Sequence, residues 1–120
     1  MKLIIAGSRD LHPTDVEITE AIDAFVSDSV TIDAVLCGGA KGVDEAGAQW
    51  ARRRNIEVET HHADWERNGK AAGPMRNRVM AELGDQLLAF WDGQSKGTAN
   101  MIDEMRRLGK PVHVVMVEWK

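Results

Sequence analysis

The 120-residue chain has a single cysteine, no tyrosine, only two phenylalanines and no excess of positive charge, its formal net charge being −4. Each scarcity excludes something. One cysteine, Cys37, rules out an internal disulfide framework and suits a reducing compartment, so the cytoplasm is the expected location. No apolar run approaches the length of a membrane span, and residues 1–6 are too short for a signal peptide, so no membrane partner is expected. The acidic balance lacks the broad basic surface of a general nucleic-acid binder, although a few local cations suffice for a small anionic ligand. Repeats, low-complexity tracts and linkers are missing too. With 43% apolar and 28% charged residues, the chain reads as one soluble domain over residues 1–120 with one buried core.

Two familiar phosphate motifs are also missing. In a Walker A loop the lysine follows the final glycine and precedes Ser or Thr, whereas Lys41 precedes Gly42 and Val43 follows. No G-x-G-x-x-G follows the first apolar run. The chain is neither a P-loop ATPase nor an ordinary NAD dehydrogenase, and no cofactor is expected.

What the chain does contain is three glycine-rich turns, each after an apolar strand-like run. Gly7-Ser8-Arg9 follows Leu3 to Ala6, Gly38-Gly39-Ala40-Lys41-Gly42 follows Ala34 to Cys37, and Asp92-Gly93-Gln94-Ser95-Lys96-Gly97-Thr98 follows Leu87 to Trp91. A strand ending in glycines before a helix offers bare N–H groups and a positive helix end, which suit a phosphate.

Strand and helix patterns alternate throughout. Strands are predicted at residues 2–6, 33–37, 56–61, 86–91 and 112–117. Helices are predicted from Thr14 or Asp15 to Ser27, from Val43 to Arg54, from Pro74 onward with Met75, Val79, Met80 and Leu83 as its apolar positions, and from Thr98 to Leu108. Residues 62–73 read as a polar loop. The pattern predicts an α/β fold, a doubly wound Rossmann-like domain whose five-stranded parallel sheet has the order 3-2-1-4-5. All three glycine turns then lie at the C-terminal strand edge, where open α/β sheets bind ligands.

Individual residues carry alternatives. Lys41 can add charge to a phosphate or stay solvated. Asp44 can accept from a ribose hydroxyl or simply favour the start of its helix. Arg9 can fork onto a phosphate or pair with Asp10 or Asp15. Ser95, Lys96, Gly97 and Thr98 can hold a second phosphate, and Thr98 can also act as an N-cap. Arg76 and Asn77 open the third predicted helix, where an arginine opposes the helix dipole and is better explained by an anionic partner. Trp65 stands in the polar loop for base stacking or a dimer contact. Trp91 lines the crevice or caps the core, Trp50 packs or meets a partner, and Trp119 is uninformative. No metal site is expected, because His61 and His62 point to opposite faces. Cys37 reads as a small buried apolar residue, and Arg52-Arg53-Arg54 as a solvated helix end.

The segments Gly38-Gly39-Ala40-Lys41-Gly42-Val43-Asp44, Trp50-Ala51, Asp64-Trp65, Gly69 to Asn77 and Asp92 to Thr98 resemble the YspA/YpsA-related branch of the SLOG superfamily. That superfamily also contains the LOG phosphoribohydrolases and the DNA-processing protein DprA. The resemblance covers nearly the whole chain. It implies a Rossmann-like domain that binds or senses a nucleotide-derived small molecule, either a nucleoside phosphate or an ADP-ribose-like compound. It also implies a homodimer, as in the related LOG proteins. By the same resemblance, Arg76 matches the arginine of the LOG motif, while Met101 stands where LOG proteins have a catalytic glutamate. An N-glycosidic phosphoribohydrolase is therefore the alternative, with Arg76 holding phosphate and Asp44 or Glu104 assisting. DprA-like binding of single-stranded DNA is a third reading, disfavoured by the acidic balance.

Overall fold

The computed structural model describes residues 1–117; Trp119 lies outside the described residues. The elements run β1 (Lys2–Gly7), α1 (Asp15–Phe25), β2 (Ala34–Cys37), α2 (Val43–Arg53), β3 (Glu57–Thr60), α3 (Trp65–Asn68), a 3-10 turn (Gly69–Ala71), α4 (Ala72–Leu83), β4 (Gln86–Trp91), α5 (Lys96–Arg107) and β5 (Val112–Met116). The strands form one sheet in the order β3-β2-β1-β4-β5, and every pairing is parallel. This is the Rossmann-like arrangement that the alternation of apolar strands and helices predicts.

The period of two along β1 decides where each helix packs. Leu3 and Ile5 point to one face, where they join Val35, Leu88 and Phe90 under Ile18, Ile22, Val43, Trp50 and Ala51 of α1 and α2. Ile4 and Ala6 point to the other, joining Leu36, Leu87 and Ala89 against Met80, Met101, Ile102 and Met105 of α4 and α5. Because β1 and β4 are covered on both faces, they read as continuous apolar runs. β3 lies at the sheet edge, and all four of its residues keep some exposure.

Local chemistry sets the helix ends. Thr14 caps α1 in a reciprocal box, its hydroxyl accepting from Glu17 N and Glu17 accepting from Thr14 N, both at 3.1 Å. The three arginines closing α2 are more than a solvated end. Arg54 donates to both carboxylate oxygens of Asp15, at 2.9 and 2.8 Å, and lies 4.5 Å over the Trp50 ring. Trp50 is buried and donates to Thr19 Oγ1 at 3.0 Å, so it is packing and offers no interface.

Two expectations need correction. The predicted loop at 62–73 contains α3 and the 3-10 turn, and α4 starts at Ala72 rather than Pro74. Pro74 is the third helical residue, where an N–H would have no intrahelical acceptor in any case. Of the four apolar positions assigned to this helix only Met80 is buried; Met75, Val79 and Leu83 are about half exposed. The helix turns Asn77, Met80 and Ala81 inward instead. No helix of the described residues is long and apolar enough to cross a membrane.

Candidate functional site

The turn from β2 to α2 is organised by a carboxylate of its own. Asp44 Oδ2 accepts from Gly38 N at 3.1 Å and from Ala40 N at 3.2 Å. Two of the N–H groups that glycine spacing would offer to a phosphate, those of Gly38 and Ala40, are thus already held by Asp44. Gly39 and Gly42 take φ of +75° and +77°, in the left-handed region that favours glycine. A Cβ on Gly42 would also collide with the Arg9 carbonyl.

Arg76 belongs to the second turn of α4, since the helix begins at Ala72. A conflict with the helix dipole, which fades beyond the first turn, therefore does not explain it. Its position is fixed from three sides. Nη1 donates to Gly38 O at 2.8 Å and to His61 O at 3.3 Å, while Nε donates to Asn77 Oδ1 at 2.9 Å. The guanidinium consequently lies over Gly38, where any Cβ would overlap it. Asn77, buried, in turn donates to Gly97 O at 3.2 Å and Asn100 Oδ1 at 2.9 Å. One amide thus orients the arginine and ties α4 to the first turn of α5.

The third turn is built by Asp92, whose Oδ1 accepts from Gln94 N at 2.8 Å and Ser95 N at 2.9 Å. The Ser95 N–H bond, followed by that of Gln94, holds its carboxyl below the ordinary value. Trp91 Nε1 donates to Ser95 O at 3.0 Å, so this indole latches the turn. Ser95 caps α5 by accepting from Thr98 N at 3.4 Å, and its carbonyl accepts from Ala99 N. The remaining first-turn donors, Lys96 N and Gly97 N, have no partner among the described residues. A Cβ on Gly97 would stand in open space.

Above the β1–β4 crevice a cavity of about 90 Å³ is lined by Gly7 and Arg9 from the first turn, Ala40 and Asp44 from the second, Arg76 and Asn77 from α4, and Ser95, Gly97 and Thr98 from the third, with Met101 also on its wall. Burial raises the Asp44 carboxyl, opposed by the Ala40 N–H and the nearby Arg76 charge. Burial likewise lowers Arg76, against the pull of Asp44. The cavity therefore sets two guanidiniums and Gly97, with its free N–H at a helix N-terminus, around one desolvated carboxylate. Such a set can hold an anion and hydrogen-bond a neighbouring hydroxyl.

Other singled-out residues stand elsewhere. Gly38 and Gly39 line an adjoining notch of about 200 Å³ with Arg9, Ala40, His62, Ala63, Trp65 and Arg76. Lys41 lines a third hollow, with Cys37, Arg52, Thr60 and His62. Lys96 is exposed and Asp92 and Gly93 shape the turn, so none of the three lines the central cavity. Ser8 is buried with its hydroxyl unpaired among the described residues. Cys37 is buried, which pushes its thiol up. Glu104, a candidate to assist hydrolysis, instead pairs with Arg78 at 3.1 Å and Arg107 at 3.4 Å in an outer groove between α4 and α5. Burial alone would raise its carboxyl, but the two arginines outweigh that and hold it below the usual range. His62, discounted as a metal ligand, belongs to the site's border. Its place just after β3, at the C-terminal strand edge, was the signal for it.

Known proteins resemble the chain at two levels. Over 84 residues it is 43% identical to the Gene 61 protein of Mycobacterium phage D29, spanning 65% of this chain and 67% of that protein. The X-ray structure of DNA processing protein A (DprA) from Streptococcus pneumoniae superposes with a TM-score of 0.71 over 98% of this chain, at 16% identity. This chain spans half the length of DprA, and the likeness is one of fold. The model of the family described as YspA, cpYpsA-related SLOG matches residues 1–68, from β1 through α3 and so across the first two glycine turns. With more than half of its length inside that match and a DprA-like sheet around it, the chain belongs to the YspA, cpYpsA-related SLOG family.

Proposed function

We propose that the protein binds a nucleotide-derived small molecule, a nucleoside phosphate or an ADP-ribose-like compound, at the cavity above the β1–β4 crevice, and that it acts as a sensor without turnover. One observation carries the reading: Arg9, Arg76 and Gly97, whose N–H is free at the α5 N-terminus, line the same small cavity, with Asp44 beside them. The phosphate belongs at the α5 N-terminus and Arg76, where donors remain. It does not belong on the Gly38 and Ala40 N–H groups, which Asp44 holds. Asp44 is placed to accept from a ribose hydroxyl. The SLOG family and the DprA-like fold support a nucleotide-related domain, and the buried single cysteine fits the cytoplasmic location we propose. Mass spectrometry of the denatured purified protein tests the reading through any co-purified ligand. A nucleotide-type compound is expected from wild type and not from Arg76→Ala.

A hydrolase is the second reading, and Asp44 is what favours it. This carboxyl, raised above its ordinary value by burial, lies in one cavity with Arg76, as an acid or an oxocarbenium stabiliser would. Against it, the wall position that resembles the LOG glutamate is Met101, which cannot carry a proton, and Glu104 is engaged elsewhere. Single-stranded DNA binding finds less support still in a chain of net charge −4. The partner we propose is a second copy of the chain, docked through α4.

A further inference from the structure

Beside the central cavity, the notch bordered by Trp65 and His62 shares Arg9, Ala40 and Arg76 with it. We propose that this notch is the base subsite of the ligand site, so that a bound nucleotide runs from its phosphate at the α5 N-terminus to a base stacked on Trp65. The inference rests on the proposed function and adds an orientation and a specificity residue to it.

Trp65 is 52% exposed although it is the largest side chain on its short helix. Its backbone is nonetheless held. Asp64 Oδ1 accepts from Arg67 N at 3.1 Å, and Asn68 N donates to Asp64 O at 2.9 Å. The indole leans on Gly73, where a Cβ would come within 3.1 Å of its Cη2, so the glycine of the Ala72-Gly73-Pro74 segment makes room for it. An indole supported on one side and open to a cavity is a stacking platform. His62 is supported in the same way: a Cβ on Gly39 would lie 2.7 Å from its Cε1. The guanidiniums of Arg9 and Arg76 complete a notch walled by four planar groups, all of which stack on bases. An aliphatic or purely anionic ligand needs no such wall. Its volume of about 200 Å³, against about 90 Å³ at the anion end, also puts the bulkier part of a nucleotide here.

The test is calorimetric titration of the whole protein with the four 5′-mononucleotides and with ribose 5-phosphate. Stacking on one aromatic is worth about 5- to 150-fold in affinity. At least one mononucleotide is expected to bind that much more tightly than ribose 5-phosphate. Trp65→Ala should bring it down to the ribose 5-phosphate level and leave ribose 5-phosphate itself unchanged, while Trp65→Phe retains most of the advantage. Equal weakening of both ligands in Trp65→Ala would mark a structural role and overturn the subsite. So would unchanged mononucleotide affinity in Trp65→Ala when Arg76→Ala abolishes it, which leaves the phosphate site standing. If neither ligand binds wild type, the functional reading falls and the subsite falls with it.

Discussion

Arg76 and Asp44 are opposite charges in one cavity, yet they are fixed by different means, and that difference separates their roles. Arg76 spends two N–H groups on strand-end carbonyls and one on Asn77, so its plane is set before any ligand arrives. Replacing it with alanine removes a charge-assisted contact worth about 1.5–3 kcal/mol. Phosphate-bearing ligands should bind about 10- to 100-fold more weakly to Arg76→Ala in calorimetry. Asp44 carries a raised carboxyl, so its contribution to stability is full below the unfolded value of 3.8 and is lost as pH rises through its higher folded pKa. Asp44→Asn, still able to accept from Gly38 and Ala40, lacks that dependence. Urea unfolding at pH 4 and pH 7 should therefore show the variant gaining on wild type towards neutral pH; a constant difference would contradict the assignment. At Gly39, Val must meet His62 and Thr60 from a positive φ. Gly39→Val should cost binding by displacing His62, with far-UV circular dichroism close to wild type.

Between elements, the coupling that matters runs from α4 to α5 through Asn77. Asn77→Ala would leave Gly97 O and Asn100 Oδ1 without their amide partner and free the Arg76 guanidinium on one side. A loss of about 1–3 kcal/mol in chemical denaturation, together with weaker binding, is the expected outcome. Binding that survives unchanged would show that Arg76 does not need Asn77 to orient it. The strands were legible because β1 and β4, buried on both faces, admit few polar residues, and their continuity alone places them at the sheet centre. α3 was not legible: four polar-flanked residues carry no periodicity, and its only signal is the Asp64 cap. The start of α4 was misread because Ala71, Ala72 and Gly73 give no cap, leaving Pro74 as the sole marker. The glycine turns were visible, but not that Asp44 would take the Gly38 and Ala40 N–H groups, since that depends on a side chain folding back four to six residues.

At the scale of the whole molecule, α4 presents an apolar face to the outside. Met75, Val79 and Leu83 recur every four residues on one helix face and remain about half exposed. Arg78 and Glu82 stand beside them along a groove of about 420 Å³. A stripe flanked by both signs is self-complementary: two antiparallel α4 helices related by a two-fold near Val79 would bring Arg78 of one copy towards Glu82 of the other. We propose a homodimer through this face. Light scattering at tens of micromolar should give a dimer mass for wild type and a monomer mass for Val79→Glu, with binding at the cavity unaffected; a monomeric wild type would refute it.

In the proposed function, the Arg76 cavity binds without turnover because Met101 is on its wall at the position that resembles the catalytic glutamate of LOG proteins. Losing such a group costs on the order of 10²–10⁴-fold in rate while leaving phosphate contacts in place. The direct measurement is chromatography of nucleoside monophosphates and ADP-ribose after long incubation with the pure protein, alongside calorimetry on the same samples. Measurable affinity, weakened in Arg76→Ala, is expected, with no release of free base above the protein-free control. Base release that wild type produces and Arg76→Ala does not would contradict that expectation and make the protein a hydrolase.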